Sequence, residues 1–309
     1  MAFCFKKKES IAKAIRRLTC ERVENALECL EDCGHAEAIH CARKDIKKVR
    51  AVLRLVQTEI VKKEFRRLTS LLRKAANLLA VPRDAYIKAK TLRDLARHFK
   101  GQLAPGALRG IRAELRNAFD EEMKRFGREK TGRRVERILR RVAKQLERLD
   151  VNGKGWKALS PGVRAAYSQG RCAYQRVLKD SSPGNLHDWR KSVKDLWYQV
   201  TLLRPVWPEQ MDAIAGELES LGECLGDDHD LVVLQHAVEK LCKGDRNARE
   251  LEILNGLTEQ RHRELRDAAG ALGARFYAEK PSMFCNRLAR YWRTWRHEKE
   301  FVARAADTT

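Results

Sequence analysis

Apolar residues recur three and four positions apart along almost the whole chain, while strand-like alternation is scarce. That period predicts amphipathic α-helices, each burying one face. Short segments interrupt it at EDCGHAE, AVPRD, GQLAPGA, FGREKTGR, VNGKGWKALSPG, KDSSPGN, RPVWPE, LGDDHD and CKGD. Each holds Gly, Pro, Asp or Asn, which end or cap helices, so the reading is all-α, with about eight to ten helices joined by short turns. The strongest break lies at 150–161, where Ser160 fits an N-cap and Pro161 the first position of the next helix. It divides the chain into halves of residues 1–150 and 151–309.

The halves resemble one another. A shift of 147 positions, with no gap, superposes Arg17 on Arg164, Ala26 on Ala173, His40 on His187 and Arg43 on Arg190. It also superposes Lys44 on Lys191, Lys47 on Lys194 and Leu55 on Leu202, and the apolar positions between them keep their character. A repeat of this length points to an internal duplication.

The best-kept part of the repeat is one helix in each half. At about 100° per residue, His40, Arg43, Lys44, Lys47 and Arg54 share a face, with Arg50 at its edge. Ile39, Ala42, Ile46, Val49, Leu53 and Val56 form a second stripe about 120° away. The second helix carries His187, Arg190, Lys191 and Lys194 beside its own apolar stripe of Leu186, Trp189, Val193, Leu196, Val200 and Leu203. Like charges three and four residues apart oppose helix formation by a few tenths of a kcal/mol per pair. Concentrating them on one line twice, in one register, indicates an extended anion as their use, with a solvated basic face as the alternative.

Composition sharpens this. Lys and Arg number 64 against 42 Asp and Glu, a net charge of +22, which favours a polyanionic partner such as nucleic acid, acidic lipid or polyphosphate. The charge is unevenly placed, +19 over residues 1–150 and +3 over 151–309. Nine cysteines form no CxxC pair, and an odd number in a long chain argues against a secreted disulfide framework, so reduced thiols and a cytoplasmic location are expected. The first residues lack the apolar core of a signal peptide, and no apolar run approaches about 18 residues, so neither secretion nor membrane spanning is supported, and no membrane is expected as partner.

The paired H-x-x-R-K-x-x-K segments, LLAVPRDAY at 78–86 and LGDDHDL at 225–231 resemble the CHAD family, the conserved histidine α-helical domain. The resemblance spans nearly the whole chain. It implies two four-helix bundles related by a pseudo-twofold axis, with basic helices around a central groove or pore that binds inorganic polyphosphate. The implied lining is His40, Arg43, Lys44, Lys47, Arg50 and Arg54 from one half and His187, Arg190, Lys191 and Lys194 from the other, with Arg17 and Arg164 on the preceding helices. It implies a binding module and not a catalyst, with no cofactor or metal, in the cytoplasm and associated with polyphosphate granules. Two departures stand out: Asp195 and Trp197 replace Lys48 and Arg50 of the first half, and Tyr86 stands where family members often have a carboxylate. No role is assigned to Asp84 or Asp230. The E-x-E-x-K motif of the triphosphatase often fused to this domain is absent from the sequence.

Physical chemistry agrees with the implied ligand. Polyphosphate offers about one charge per unit and no bases, so Lys and Arg contacts would supply the affinity. Aromatics are 7% of the chain and are not interleaved with the basic stripe, which disfavours base stacking but leaves a non-specifically held nucleic-acid backbone as the competing partner. A metal-dependent phosphohydrolase using His187-Asp188 and His229-Asp230 is the third reading. DDHD at 227–230 reads as a capped turn between helices, with a divalent-ion site as the alternative. Cys29, Cys33, His35, His40 and Cys41 read as buried thiols near a helix end, with a metal site as the alternative, because zinc sites use tighter pairs. The basic segment 126–149 reads as a solvated outer face, with an extended binding surface as the alternative. RLARYWRTWRHEKEF at 287–301 reads as the last helix packed on the second bundle, with contact to nucleic acid or membrane through Tyr291, Trp292, Trp295 and its arginines as the alternative.

Overall fold

The computed structural model describes residues 3–31, 36–241 and 247–306, with side chains to residue 297. Among the described residues there are eleven α-helices and no strand. The first half holds α1 (Ile11–Glu31), α2 (Ala36–Leu55), α3 (Lys62–Leu78), α4 (Ala80–His98), α5 (Arg109–Arg128) and α6 (Thr131–Leu146). The second holds α7 (Gly155–Lys179), α8 (Pro183–Leu202), α9 (Pro208–Leu241), α10 (Ala248–Phe276) and α11 (Pro281–Ala306).

The 147-residue shift carries α2 onto α8 end for end, and carries the single 3₁₀ turn Gln57–Glu59 onto its counterpart Arg204–Val206. The halves diverge at one place. Leu79 separates α3 from α4, whereas its counterpart Gly226 lies inside the unbroken α9. LGDDHD is therefore mid-helix and not a turn. Leu225, Asp228 and Leu231 are all buried at helical spacing, and that burial outweighs the turn propensity of Gly and Asp. CKGD at 242–245 lies outside the described residues.

The expected helix start at Ser160-Pro161 is also corrected. Helix α7 begins at Gly155 and carries Pro161 within it. Ala158 and Leu159 are fully buried, so the apolar stripe begins upstream of the proline. Pro161 removes one donor, and the carbonyl it frees belongs to Lys157, which is exposed to water. The next residue, Gly162, lies against the Leu55 carbonyl, where a Cβ would collide with backbone. This close approach seats α7 on the end of α2.

The apolar stripes of α2 and α8 are buried as the periodicity requires. One core cluster runs through both halves, from Phe5 to Trp292. A second cluster joins α4 and α5 to α9 and α10 through Leu92, Leu95, Ile111, Leu234 and Leu254. The halves thus share two cores, and α2 packs against α8 between them. Helix α11 packs as the sequence suggests, with Trp292 edge-on to Phe5 at 5.6 Å and tilted against Trp295 at 5.3 Å. Cys29, half-buried, and Cys41, exposed, are joined as a disulfide linking α1 to α2, contrary to the expectation of buried, reduced thiols. Cys33 and His35 lie outside the described residues.

Candidate functional site

A cavity of about 750 Å³ opens where α2, α4, α8, α9 and α10 meet. The walls differ in sign. Helix α2 contributes His40, Arg43, Lys44 and Lys47, α4 contributes Arg83, Lys90 and Arg97, and α8 contributes Arg190 and Lys194. Helix α9 presents Glu219, Glu223, Asp227 and Asp230 at intervals of four, four and three residues, one face of a helix. With Arg261, Glu37 and Asp94, the lining holds nine Lys or Arg against six carboxylates. An anion would therefore lie along α2, α4 and α8, away from α9.

Helix α9 also makes room for the cations of α8. A Cβ on Gly222 would stand 3.0 Å from the Lys194 side chain, and one on Gly226 would stand 3.6 Å from Arg190 Nε. The two glycines are four residues apart, so the same face of α9 that carries its acids leaves space for long side chains reaching across from α8. Lys194 Nζ in turn lies 4.8 Å from the centre of the Trp197 ring, a cation–π contact.

The cations are held under mutual repulsion. Burial, then the neighbouring charges of Arg190, Arg83 and Arg43, push Lys47 down to about 7 from 10.5, against the opposing pull of Asp230. Burial lowers Arg190 as well, with Asp230 pulling the other way, and lowers Lys194, with Arg190 adding to the effect. Arg83 bonds Asp84 at 2.9 Å and reaches Asp230 only at 3.9 Å. The Nε atoms of Arg43, Arg83 and Arg190 and Oδ1 of Asp230 are buried without hydrogen-bond partners. Several cationic groups thus converge on one cavity with unmet bonding capacity. Asp84 is engaged by Arg83, and Asp230 is the carboxylate facing the three-helix cluster of cations.

Six of the residues expected at the site line this cavity: His40, Arg43, Lys44, Lys47, Arg190 and Lys194. The other six do not. Arg17 hydrogen-bonds Glu9 at 2.8 Å and the Cys4 carbonyl at 3.0 Å, so it fastens the N-terminal segment to α1. Arg164 is exposed on α7, near Cys285, whose thiol its charge acts upon. Arg54 pairs with Asp195 across the two halves. Arg50 lies beside Arg54 and Asp195, further along α2. Lys191 is exposed and pairs with Asp188 at 3.1 Å. For Arg54 the cause is the replacement of Lys48 by Asp195 in the second half, which draws Arg54 into an ion pair and shortens the stripe.

His187 lies outside the cavity lining and packs tilted against His229, with ring centres 4.6 Å apart. Burial, then Arg190 and His187, push His229 down to about 4. His187 is lowered by burial, then Lys191 and Arg190. His40, exposed at the rim, is lowered by partial desolvation, then Arg83, Lys47, Lys44 and Arg43. These rings act near neutral pH as hydrogen-bonding groups more than as cations. Asp188 is committed to Lys191, and the His187, Asp188, His229 and Asp230 set does not come together as a group of metal ligands. Among the described residues the one group of three that does, Cys29, Cys41 and Asp45, has its thiols in the disulfide and Asp45 bonded to Lys48 at 2.8 Å.

Sequence reasoning missed Arg83, Lys90, Arg97 and Arg261 as lining. Arg83 was visible inside LLAVPRDAY, and its stripe partners Lys90 and Arg97 follow at seven-residue spacing, a helical face that could have been read. Arg261 and the acidic wall depend on how α9 and α10 pack against α4.

These features define an all-α protein whose two half-chains, in one helical register, face each other across a predominantly basic cavity. The family model of the CHAD domain matches residues 13–239. The chain belongs to the CHAD domain family. Solved structures share the fold. PptA from Streptomyces chartreusis aligns with a TM-score of 0.65 at 14% identity, covering 86% of this chain and 100% of that one. The CHAD domain from the plant Ricinus communis aligns with a TM-score of 0.66 at 15% identity, covering 88% of this chain and 94% of that one. No curated protein matches the chain.

Proposed function

We propose that the chain binds inorganic polyphosphate in the cavity between its halves and acts as a binding module without catalysing cleavage or transfer. The observation that carries this reading is the convergence of Lys47, Arg83 and Arg190, from three helices and both halves, on one cavity, where burial and neighbouring cations oppose the charged forms of Lys47 and Arg190. A closely spaced row of anionic oxygens relieves that repulsion and meets the unpartnered Nε donors. Membership of the CHAD family supports the same ligand. A nucleic acid fits less well, because Trp197 already lies beneath Lys194 and Tyr86 is bonded to Glu37, which leaves little free aromatic face for bases.

Among the described residues no helix is long and apolar enough to cross a membrane. We place the protein in the cytoplasm, with polyphosphate granules as the site of binding. Calorimetric titration with long-chain polyphosphate and with single-stranded RNA of equal charge, at two salt concentrations, tests the ligand. The expected result is tighter polyphosphate binding that persists at the higher salt. Equal affinities that collapse together would transfer the reading to non-specific nucleic-acid binding. Release of orthophosphate on adding a divalent metal would contradict the non-catalytic assignment.

A further inference from the structure

The cavity uses only part of the positive charge of the first half. Helix α3 exposes Arg66, Arg73 and Lys74, and α6, packed beside α3, exposes Arg133, Arg137, Arg141 and Lys144. The four α6 residues follow at intervals of four, four and three, which places them on one face of the helix over about 16 Å. Among the described residues none of these four lies within ion-pair distance of a carboxylate; the neighbouring Arg140 takes Glu136 at 2.6 Å. A row of like charges on an outer face opposes the helix that carries it.

This row is connected to the cavity. Arg50 follows Lys47 by three residues on α2, and its Nε is buried without a partner. The charge of Arg73, on α3, acts on Arg50. Arg73 lines a hollow of about 350 Å³ with Ser70, Lys74 and Asn77 along one side of α3. The cations therefore continue from Lys47 through Arg50 to the surface of α3, while the next residue of the stripe, Arg54, is held by Asp195.

We infer that a second polyanion-binding surface runs from Arg50 across α3 to the Arg133–Lys144 row of α6 and takes the part of a long polyphosphate chain that emerges from the cavity. This rests on the cavity reading above. The exposed positions of α3 and α6 carry no aromatic side chain, so the surface suits a linear phosphate polymer better than unpaired bases. The cavity secures one stretch of polymer, and the outer row adds affinity only to chains long enough to reach it.

The test uses the full chain and three probes: tripolyphosphate, polyphosphate of about one hundred units, and single-stranded RNA of equal charge to the latter. In Arg137→Glu/Arg141→Glu, long-chain affinity should fall about tenfold with a shallower salt dependence, while tripolyphosphate affinity stays at the wild-type value. Circular dichroism checks that helicity is kept. Unchanged long-chain binding, an equal loss for both polyphosphates, or a loss confined to RNA would overturn the inference. Lys47→Glu separately tests the cavity, since it should abolish tripolyphosphate binding. If tripolyphosphate binding survives Lys47→Glu, the cavity reading fails whatever the α6 result.

Discussion

Charging Lys47 in the free protein is costly, so binding a polyanion should draw a proton onto it. Its value falls from 10.5 to about 7, which corresponds to about 4–5 kcal/mol against the charged form, an upper bound because solvent and side chains relax around it. At pH 8 the free side chain is about one-tenth protonated. A bound phosphate chain restores the charged form, so binding should take up close to one proton per site, and affinity should fall by up to about tenfold per pH unit between pH 8 and 10. Titration calorimetry at pH 8 in buffers of different ionisation enthalpy measures the uptake directly, and Lys47→Met should remove most of it. Folding stability follows with a definite sign. The unfolded chain holds the extra proton between about pH 7 and 10.5, so the Lys47 contribution to stability rises with pH across that window and the penalty is complete below it. Lys47→Met should therefore raise the denaturation midpoint most at pH 6 and least above pH 10. Zero proton uptake at pH 8, or equal uptake in Lys47→Met, would refute the argument that this amine is held neutral by burial and by its cationic neighbours.

The cross-half pair of Arg54 and Asp195 can be dissected by urea denaturation. Arg54→Met leaves a largely buried carboxylate unpaired and should cost about 2–3 kcal/mol, while Arg54→Met/Asp195→Leu should recover most of that loss. Buried Asp228 bonds His262 at 2.7 Å and Arg266 at 2.8 Å, and these partners hold its carboxyl below the usual carboxylate value of 3.8 despite burial. Its stabilisation is present above pH 3.8 and is lost as pH falls through the lowered value, so Asp228→Asn should cost about 2–3 kcal/mol at pH 7 and flatten the acid-unfolding curve. Gly162→Ala should cost about 3 kcal/mol or more by the same assay, because the new Cβ meets the backbone of Leu55 and neither α2 nor α7 can yield without opening the shared core.

Local periodicity by itself determined the all-α class, the buried stripes of α2 and α8 and the basic face beside each, because a residue's position around its own helix depends only on residues within a turn or two. The self-similarity at 147 residues likewise fixed the register that carries α2 onto α8. Tertiary packing decided which cations share a cavity. Arg17 belongs to the basic pattern yet is taken by Glu9, and Arg54 is taken by Asp195, 141 residues away in sequence. No local pattern shows such partners, since a long side chain goes to whichever opposite charge the packing brings near. Packing also turned LGDDHD from a turn signal into the middle of α9 and set its acids across from Lys47 and Arg190. Gly and Asp end a helix only when nothing beyond them is worth burying, and here Leu231, Leu234 and Val238 carry the helix on into the second core. The cavity's charge, basic along α2, α4 and α8 and acidic along α9, is a property of the assembled halves.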